Sequence, residues 1–552
     1  MSMTADKLSE AYFEKARSNT TWSGLPLEEF YGPADAAGVD YARQVADPGQ
    51  FPYTRGIHAN MYRGKYWTRR EVCGFATAAD TNQWFRFQMA EGVSGLDYIL
   101  DVPGHMGLDA DHPYALAENG VTGVSCGSLR DMEDLLDGIP LDRVSMVLLG
   151  SGISAACTLA QHLTIAERQG VDFAKLRGTT QNENLHIRYC GFRPSVPLDL
   201  GPKMVVDIIE YATRHIPHWY PTTPNLYDMR EQGISAAQEI AFGLAIAACY
   251  VQKTVERGLP VDDFAPRLSF YCSCHIDLFE EVAKLRAARR LWARIMGERF
   301  GAQNPRSMQF RFAVHTAGCS LVPQQPLNNI VRVAYEALAA VLAGCQSLHC
   351  CSYDEPIALP SELSQRTAIR TQQILAYETG VANVSDPLGG SYYVESLTDR
   401  IQAEAERIMA EIDRQGGIVE AMRTEWIDRE IEKAALENQR AVDRGEKVIV
   451  GVNAFRSEEE TATPGGVKRI PHEVSEELAR RTRALKETRD NSRVRAAIAG
   501  LRREAERGEQ HNLLPAIVEC VKAYATNAEI IGTIREVYGH HYDPLEVISS
   551  PF

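Results

Sequence analysis

No stretch of the 552 residues reaches the roughly 18 consecutive apolar positions that a membrane-spanning helix requires. The longest apolar run, 241–251, is short and follows Glu239, so it reads as a buried helix. The N-terminus, MSMTADKLSEAYFEKARS, holds no apolar core of signal-peptide length. Positive charge is in deficit: 58 Lys and Arg stand against 73 Asp and Glu, a net charge of −15. That balance argues against a whole-protein affinity for nucleic acid or an anionic membrane, and still allows a local basic groove. Neither a Walker A loop nor an H-E-x-x-H pair is present, and no Gly-rich phosphate loop follows the first candidate strand. A content of 45% hydrophobic and 24% charged residues excludes a disordered chain, a collagen-like fibre and a small disulfide scaffold. The twelve cysteines, with no export signal before them, point to reduced thiols and a cytoplasmic protein.

What is present is a repeating pattern. Residues 1–60 form an N-terminal extension, with a short helix expected over 8–18 and an aromatic segment, FPYTRG (51–56), expected to lie against another surface. From about 90 to 352, short β-prone runs alternate with amphipathic helical stretches. The runs are LDYILDVP (96–103), VTGVSC (121–126), VSMVLLGS (144–151), RGTTQN (177–182), TPNLYD (223–228), RLSFYCS (267–273), QFRFAVHT (309–316) and QSLHCC (346–351). Helices are expected over 131–138, 153–170, 203–215, 236–257, 278–300, 328–343 and 362–379. Eight such units predict an α/β fold, a (β/α)8 TIM barrel over 61–395, with an open doubly wound sheet as the alternative. Residues 396–552 read as a mainly helical C-terminal region, interrupted by a strand-like island, VIVGVNAF (448–455), and by Pro464-Gly465-Gly466. The dense mixed charge of its helices reads as a solvated face.

In barrel enzymes the chemistry lies at the C-terminal strand ends. Those ends here carry Asp101, His105, Cys126, Ser151, Gln181, Asn182, Tyr227, Asp228, Cys272, Cys274, His275, His315, His349, Cys350 and Cys351, followed by Asp354 and Glu355. Such a mouth offers zinc-type ligands, but C-x-C-H and adjacent Cys350-Cys351 are not zinc-site spacings. The cysteines read as small core residues and no metal is expected.

Several segments resemble the large subunits of adenosylcobalamin-dependent acyl-CoA mutases, the methylmalonyl-, isobutyryl- and 2-hydroxyisobutyryl-CoA mutase family. They include FPYTRG (51–56), YWTRREVCGFATAADTN (66–82), LDADHP (108–113), GTTQN (178–182), ERGLPVDDFAPRLSF (256–270), FGAQNPRS (300–307), YDEP (353–356) and RTQQILAYETGVANVSDPLGGSYYVE (370–395). The resemblance covers roughly 50–455 in register and implies a barrel threaded by coenzyme A. By position, Lys65, Thr68, Arg70, Arg267, Ser269 and Gln346 match CoA-side contacts, and Gln181 a substrate-side glutamine. Tyr227 and Asp228 align with the family's pocket Tyr-His pair. Glu355 matches the acidic residue that binds the adenosyl ribose, with His315, Cys319 and Cys351 on the cofactor side. The cobalt-ligating D-x-H-x-x-G is missing, and His540-His541 lacks its context. The resemblance therefore implies a separate small cobalamin-binding subunit, in a heterotetramer, and no nucleic acid or membrane partner.

The acyl pocket departs from the family. Val72 replaces a tyrosine, phenylalanine or isoleucine, Ile99 stands where the hydroxyisobutyryl enzymes have an aspartate, and Gly191 (or Cys190 after a one-residue slip) replaces the carboxylate-pairing arginine. Arg188 and Arg193 flank that position as possible substitutes. Asp97 replaces a serine beside the CoA path, where a carboxylate would repel phosphate. Asp228 replaces a carbonyl-facing histidine and is expected either to donate as a protonated acid or to act as an anion. The function expected is a radical 1,2-rearrangement of an acyl-CoA, methylmalonyl-CoA being disfavoured. A non-catalytic mutase-like barrel and a zinc hydrolase stand as alternatives.

Overall fold

The computed structural model describes residues 20–191, 195–457, 466 and 468–552. The expected helix at 8–18, Arg193 and Pro464-Gly465 lie outside the described residues.

Nine short strands alternate with helices: β1 (Thr68–Arg70), β2 (Val72–Cys73), β3 (Gly95–Ile99), β4 (Ser145–Leu149), β5 (Arg177–Gln181), β6 (Trp219–Tyr220), β7 (Phe270–Cys274), β8 (Phe312–Thr316) and β9 (Ser347–His349). They form two parallel sheets, ordered β1-β9-β8-β7 and β2-β3-β4-β5-β6. Glu71 alone separates β1 from β2, so one chain segment edges both sheets. Isolated parallel bridges, Thr222 to Leu268 and Asn225 to Tyr271, lie between the stretch after β6 and that around β7. Leu149 pairs with both Ile99 and Gln181, so the C-terminal ends of β3, β4 and β5 are level. The architecture is mixed α/β with parallel sheets and a helical C-terminal region.

Six of the eight predicted runs contain a strand. VTGVSC makes only a bridge from Val124 to Leu100, because Gly123 passes so close to Leu100 that an added Cβ would lie 2.2 Å from its carbonyl oxygen. TPNLYD is not a strand. β6 precedes it, Pro221 and Pro224 remove ladder donors, and Tyr227–Glu231 is a short helix. VIVGVNAF is a turn rather than a strand. The Asn453 amide takes the Ile449 N–H at 2.7 Å and donates to the Val442 and Lys447 carbonyls, doing locally what a ladder would do. β1 and β2 went unrecognised because T-R-R-E-V-C carries charge where a strand pattern expects apolar side chains.

The helices begin where side chains can cap them. Thr77 with Asp80, Ser235 with Gln238 and Thr526 with Glu529 form capping boxes before Ala78–Ala90, Ala236–Glu256 and Asn527–Val537. The buried apolar residues form two large clusters. One gathers helices Ala236–Glu256, Leu278–Arg294, Asn328–Leu342 and Tyr392–Arg414 behind β7–β9. The other gathers Ala78–Ala90, Gly152–Arg168 and Leu200–His215 with the C-terminal helices Asn491–Ala505, Leu514–Lys522 and Asn527–Val537. Gln161 donates to Asn527 at 2.9 Å across that second junction. Among the described residues no helix is long and apolar enough to cross a membrane.

The segment around FPYTRG does lie on a surface, held by buried cations. Arg289 donates to the Tyr53 carbonyl at 2.9 Å and the Thr54 carbonyl at 2.6 Å. Arg290 reaches the Gln44 carbonyl at 3.3 Å, and Arg55 pairs with Asp386 at 3.0 Å.

Candidate functional site

A cavity of about 1030 Å³ runs along the inner faces of the strands. Its wide end is lined by first residues of strands (Ser145, Arg177, Phe270, Phe312, Ser347), and it extends to Gln181 and His349, the last residues of β5 and β9. The lining is lopsided in charge: Lys65, Arg69, Arg70, Arg143, Arg177, Arg267, Arg306 and Arg311 against the single carboxylate of Asp97. Such a cationic entrance suits a polyanionic, phosphorylated ligand.

All six residues expected on the CoA side line this cavity, and so does Gln181. Their local bonds differ. Arg70 is spent on the wall: it pairs with Asp97 at 2.5 Å and donates to the Ser145 hydroxyl at 2.6 Å. The expected repulsion by Asp97 is thereby cancelled; burial lifts its carboxyl and Arg70 opposes the lift. The Gln346 amide is also spent on backbone, taking the Phe312 N–H at 2.9 Å and donating to Gly344 at 2.8 Å. Ser269 shares a hydrogen bond with Thr223 at 2.9 Å. Lys65 is exposed, and Arg267 is half-buried at the rim, donating to the Asp263 carbonyl at 2.6 Å. Thr68 opens β1, where its N–H meets the Gln346 carbonyl at 2.9 Å.

Beyond the cavity's inner end the rings stack. Tyr271 and His349 belong to the cavity wall, Tyr227 lies 5.7 Å from Tyr271, and His315 lies 4.4 Å from Tyr227 and 3.9 Å from His349. Hydrogen bonds assign the tautomers. His315 donates from Nδ1 to the Thr316 carbonyl at 2.7 Å, whereas His349 accepts the Val72 N–H on Nδ1 at 2.8 Å. Burial lowers His315 to about 4 and His349 well below its usual range, so both are neutral at pH 7. The Cys351 thiol faces the Thr316 carbonyl at 3.2 Å, and burial raises its pKa. His315, His349 and Cys351 bring possible ligand atoms within 4.8 Å, as do His186, Cys190 and Asp228. Cys272, Cys274 and Cys126, expected at the mouth, pack instead into the apolar clusters, and His275 lies against Trp22 at 5.1 Å.

Val72 and Ile99 are half-buried at the ends of neighbouring strands. Gly191 is exposed in a turn with φ +83°, so a side chain there is strained. Arg188 cannot stand in for the missing arginine: it pairs with Asp428 at 3.0 Å and donates to the Met422 carbonyl at 3.1 Å. Cys319 is exposed, its N–H on Glu231 Oε2 at 2.6 Å, while Glu231 Oε1 is buried without a hydrogen-bond partner. Glu355 is exposed after β9.

The sequence carries a G-x-S-x-G spacing and a G-x-G-x-x-A spacing, against the expectation that it holds neither a nucleophile elbow nor a dinucleotide fingerprint, but neither has the structural context of its motif. Gly123–Gly127 has G-x-S-x-G spacing, but no strand precedes it and Ser125 is buried against Asp101, so it is no nucleophile elbow. Gly150-Ser151-Gly152-Ile153-Ser154-Ala155 has G-x-G-x-x-A spacing after β4. A Cβ at Gly152, where φ is +53°, would lie 2.6 Å from Asn184 Oδ1, so this glycine serves close packing.

Around Asp228, sequence reasoning missed two partners, Glu183 and His186. Glu183, just past β5, takes the N–H of Leu185, the N–H of His186 at 3.0 Å and the Tyr250 hydroxyl at 2.5 Å. It also holds His186 Nδ1. On its other side, His186 Nε2 meets Asp228 Oδ2 at 2.9 Å, and Asn225 Nδ2 donates to the same oxygen at 2.6 Å. Burial works against the His186 imidazolium, yet Glu183, Cys190 and Asp228 together raise it well above its usual range. Burial also works against the Asp228 anion, yet His186 and Cys190 hold it below the usual carboxylate range. Both directions favour the anionic one of the two roles expected of Asp228.

The sign of the linkage follows. The His186 contribution to stability is complete below its unfolded pKa of about 6.5 and disappears only as pH rises through its higher folded value. The Asp228 contribution holds above about 3.9 and disappears as pH falls through its lower folded value. Histidine NMR is expected to show one ring, absent from His186→Gln, that stays protonated from about pH 6 to 8. A His186 signal titrating near 6.5 would remove the ion-paired ladder.

The methylmalonyl-CoA mutase family model matches residues 20–540. The 2-hydroxyisobutanoyl-CoA mutase large subunit of Aquincola tertiaricarbonis is 38% identical over 528 residues, covering 95% of this chain and 93% of the relative. The methylmalonyl-CoA mutase of Cereibacter sphaeroides is 39% identical over 545 residues, covering 98% of this chain and 75% of the relative. That of Rhizobium meliloti is 40% identical over 533 residues, covering 96% and 74%. Matched along nearly its whole length, the chain belongs to the methylmalonyl-CoA mutase family.

Proposed function

We propose that this chain is the large subunit of an adenosylcobalamin-dependent mutase that rearranges the carbon skeleton of an acyl-CoA thioester. The observation that carries the reading is the cavity itself, with eight cationic side chains in its lining and its inner end at Gln181 and a layer of neutral rings. A CoA chain laid along it places phosphates among the cations and the thioester near Gln181. The shared edge at Glu71 and the bridges between the β6 and β7 stretches support reading the two sheets as one (β/α)8 barrel over 61–395, with 1–60 wrapping it and 396–552 packed outside.

The ring layer is where a corrinoid fits. Glu231 keeps a buried carboxylate oxygen without a hydrogen-bond partner beside exposed Cys319, which suits a ligand fringed with amide donors. Exposed Glu355 suits a ribose diol, with His315 and Cys351 beneath it. When bound, the cofactor supplies the radical that abstracts and returns a substrate hydrogen. The chain's own work is positional. Gln181 offers an amide to the thioester carbonyl, and the neutral His315 and His349 present rings without adding charge. The barrel wall excludes water from a reactive intermediate. No strong base is needed, in keeping with histidines lowered out of the neutral range.

The "large subunit" in the name of a relative covered over 93% of its length supports a small cobalamin-binding partner in a heterotetramer. The twelve unpaired cysteines support a cytoplasmic location. The chain alone is expected to bind adenosylcobalamin at least about tenfold more weakly than the pair, a loss of ~1.4 kcal/mol or more. Titration followed by cobalamin absorbance checks this, and equally tight binding without a partner would remove the split-subunit reading. Turnover of short acyl-CoA thioesters by the reconstituted pair tests the function itself.

A further inference from the structure

We propose that Asp228 is a standing anion which selects an acyl-CoA whose acyl group carries an ammonium. This rests on the acyl-CoA reading above and names the class of acyl group within it.

The argument is one of charge count and direction. Glu183, His186 and Asp228 form a continuous chain of contacts in which two acids flank one imidazole, so acidic groups outnumber the basic one. The inner carboxylate is saturated by Leu185, His186 and Tyr250. The outer one is not enclosed: Asp228 keeps 27% of its side chain exposed, whereas His186 keeps 5% and Glu183 none. The excess negative charge is thus presented at Asp228, next to Tyr227 and within electrostatic reach of Tyr271 and His315.

Nothing among the described residues nearby balances it. His105 and His315 are neutral, burial having lowered both to about 4. Arg188 is tied to Asp428, and Arg230 is buried among Glu239, Glu280 and Glu281. The remaining acids at this end, Glu231 and Glu355, add no positive charge. A ligand carboxylate would meet an anion here with no cation to pair it, and an alkyl group would leave the anion uncompensated. An ammonium would complete the ladder as carboxylate, imidazolium, carboxylate, ammonium, with alternating sign. His186 and Glu183 act as positioning residues, holding Asp228 ionised and aimed.

The test is calorimetric titration of the full chain with 3-aminobutyryl-, 3-hydroxybutyryl-, butyryl- and methylmalonyl-CoA, and with free coenzyme A. The aminoacyl thioester is expected to bind at least tenfold tighter than butyryl-CoA, with the hydroxyacyl thioester between them and methylmalonyl-CoA weakest. In Asp228→Asn, and in Asp228→Ala as a second variant, the preference should shrink to within threefold while free coenzyme A binds as before. Equal binding of aminobutyryl- and butyryl-CoA overturns the inference, and so does a hydroxyacyl thioester binding as tightly as the aminoacyl one. A preference that chelator treatment abolishes also overturns it, because His186, Cys190 and Asp228 would then be holding a metal. The wild-type ranking needs no variant to fold. If no thioester and no free coenzyme A binds, the acyl-CoA reading fails and this inference with it; thioesters that bind alike remove the inference alone.

Discussion

Replacing Lys284 by methionine is expected to cost about 3–5 kcal/mol of stability, among the largest effects available from a single side chain. The Lys284 ammonium is fully buried, 2.7 Å from Glu239 and 2.9 Å from the Ser273 carbonyl, and it also pairs with Glu281. Removing it leaves two buried carboxylates leaning on Arg230, which is already 3.5 Å from Glu239 and 3.4 Å from Glu281. The desolvation already suffered by those acids is then no longer offset. The neighbouring carboxylates more than overcome burial and hold the ammonium above its usual range, so its contribution does not fade anywhere in the neutral range. Denaturant unfolding of wild type and Lys284→Met at pH 7 measures the loss. A change below about 1 kcal/mol would place this network among the dispensable surface pairs. There is also a functional consequence. Lys284 joins helix Leu278–Arg294 to β7, and Glu239 joins β7 to helix Ala236–Glu256 through the Ser273 N–H at 3.0 Å. A surviving variant should therefore show a displaced Tyr271, read as weakened acyl discrimination.

Reversing charge at the cavity entrance, Arg267→Glu with Arg311→Glu, is expected to weaken acyl-CoA binding by a factor of about 100 or more. Each charge-assisted contact to a phosphate contributes roughly 1.5–3 kcal/mol, and two are replaced by repulsion. Both arginines are half-exposed at the rim, so the fold should be untouched and melting should show it. The salt dependence is the sharper readout. Wild-type affinity should fall with ionic strength as screening shortens the reach of the remaining cations, while the variant's affinity should be flat or rise. The ranking among acyl groups should persist, because neither arginine contacts the ladder at Asp228. Unchanged affinity in the double variant would mean that the phosphorylated end of the ligand does not enter by this route.

The alternation of runs and helices made the α/β character legible, because β4, β7 and β8 are apolar enough to announce themselves. β1 was not legible for the reason that makes it useful. Arg69 and Arg70 put two cations side by side in a strand that lines the cavity, and a pattern that equates strands with apolar residues passes over them. Prolines around β6 displaced that strand from its expected place, and an asparagine turned VIVGVNAF into a turn. At the site, Lys65, Thr68, Arg70, Gln181, Arg267, Ser269 and Gln346, picked out by the family resemblance, all line one cavity. The Arg188 guanidinium is spent on Asp428 and the Met422 carbonyl. The Glu183–His186–Asp228 ladder joins two loops whose ends no periodicity connects. Its one visible trace is a glutamate and a histidine three residues apart directly after the Gln181 strand end, a spacing that passes for ordinary loop polarity.

The grip of helix Leu278–Arg294 on the segment before β1 has a consequence for how the chain is made. Thr54 receives its bond from Arg289, 235 residues further along, and Arg55 receives its partner from Asp386, 331 residues further along. At about 5–20 residues per second, the ribosome delivers Arg289 roughly 10–50 s after Thr54. Throughout that interval the aromatic segment has left the exit tunnel with nothing to lie on. It is a ready substrate for chaperones or proteases until helix Leu278–Arg294 arrives, and a ribosome that pauses between those codons lengthens the exposure in proportion.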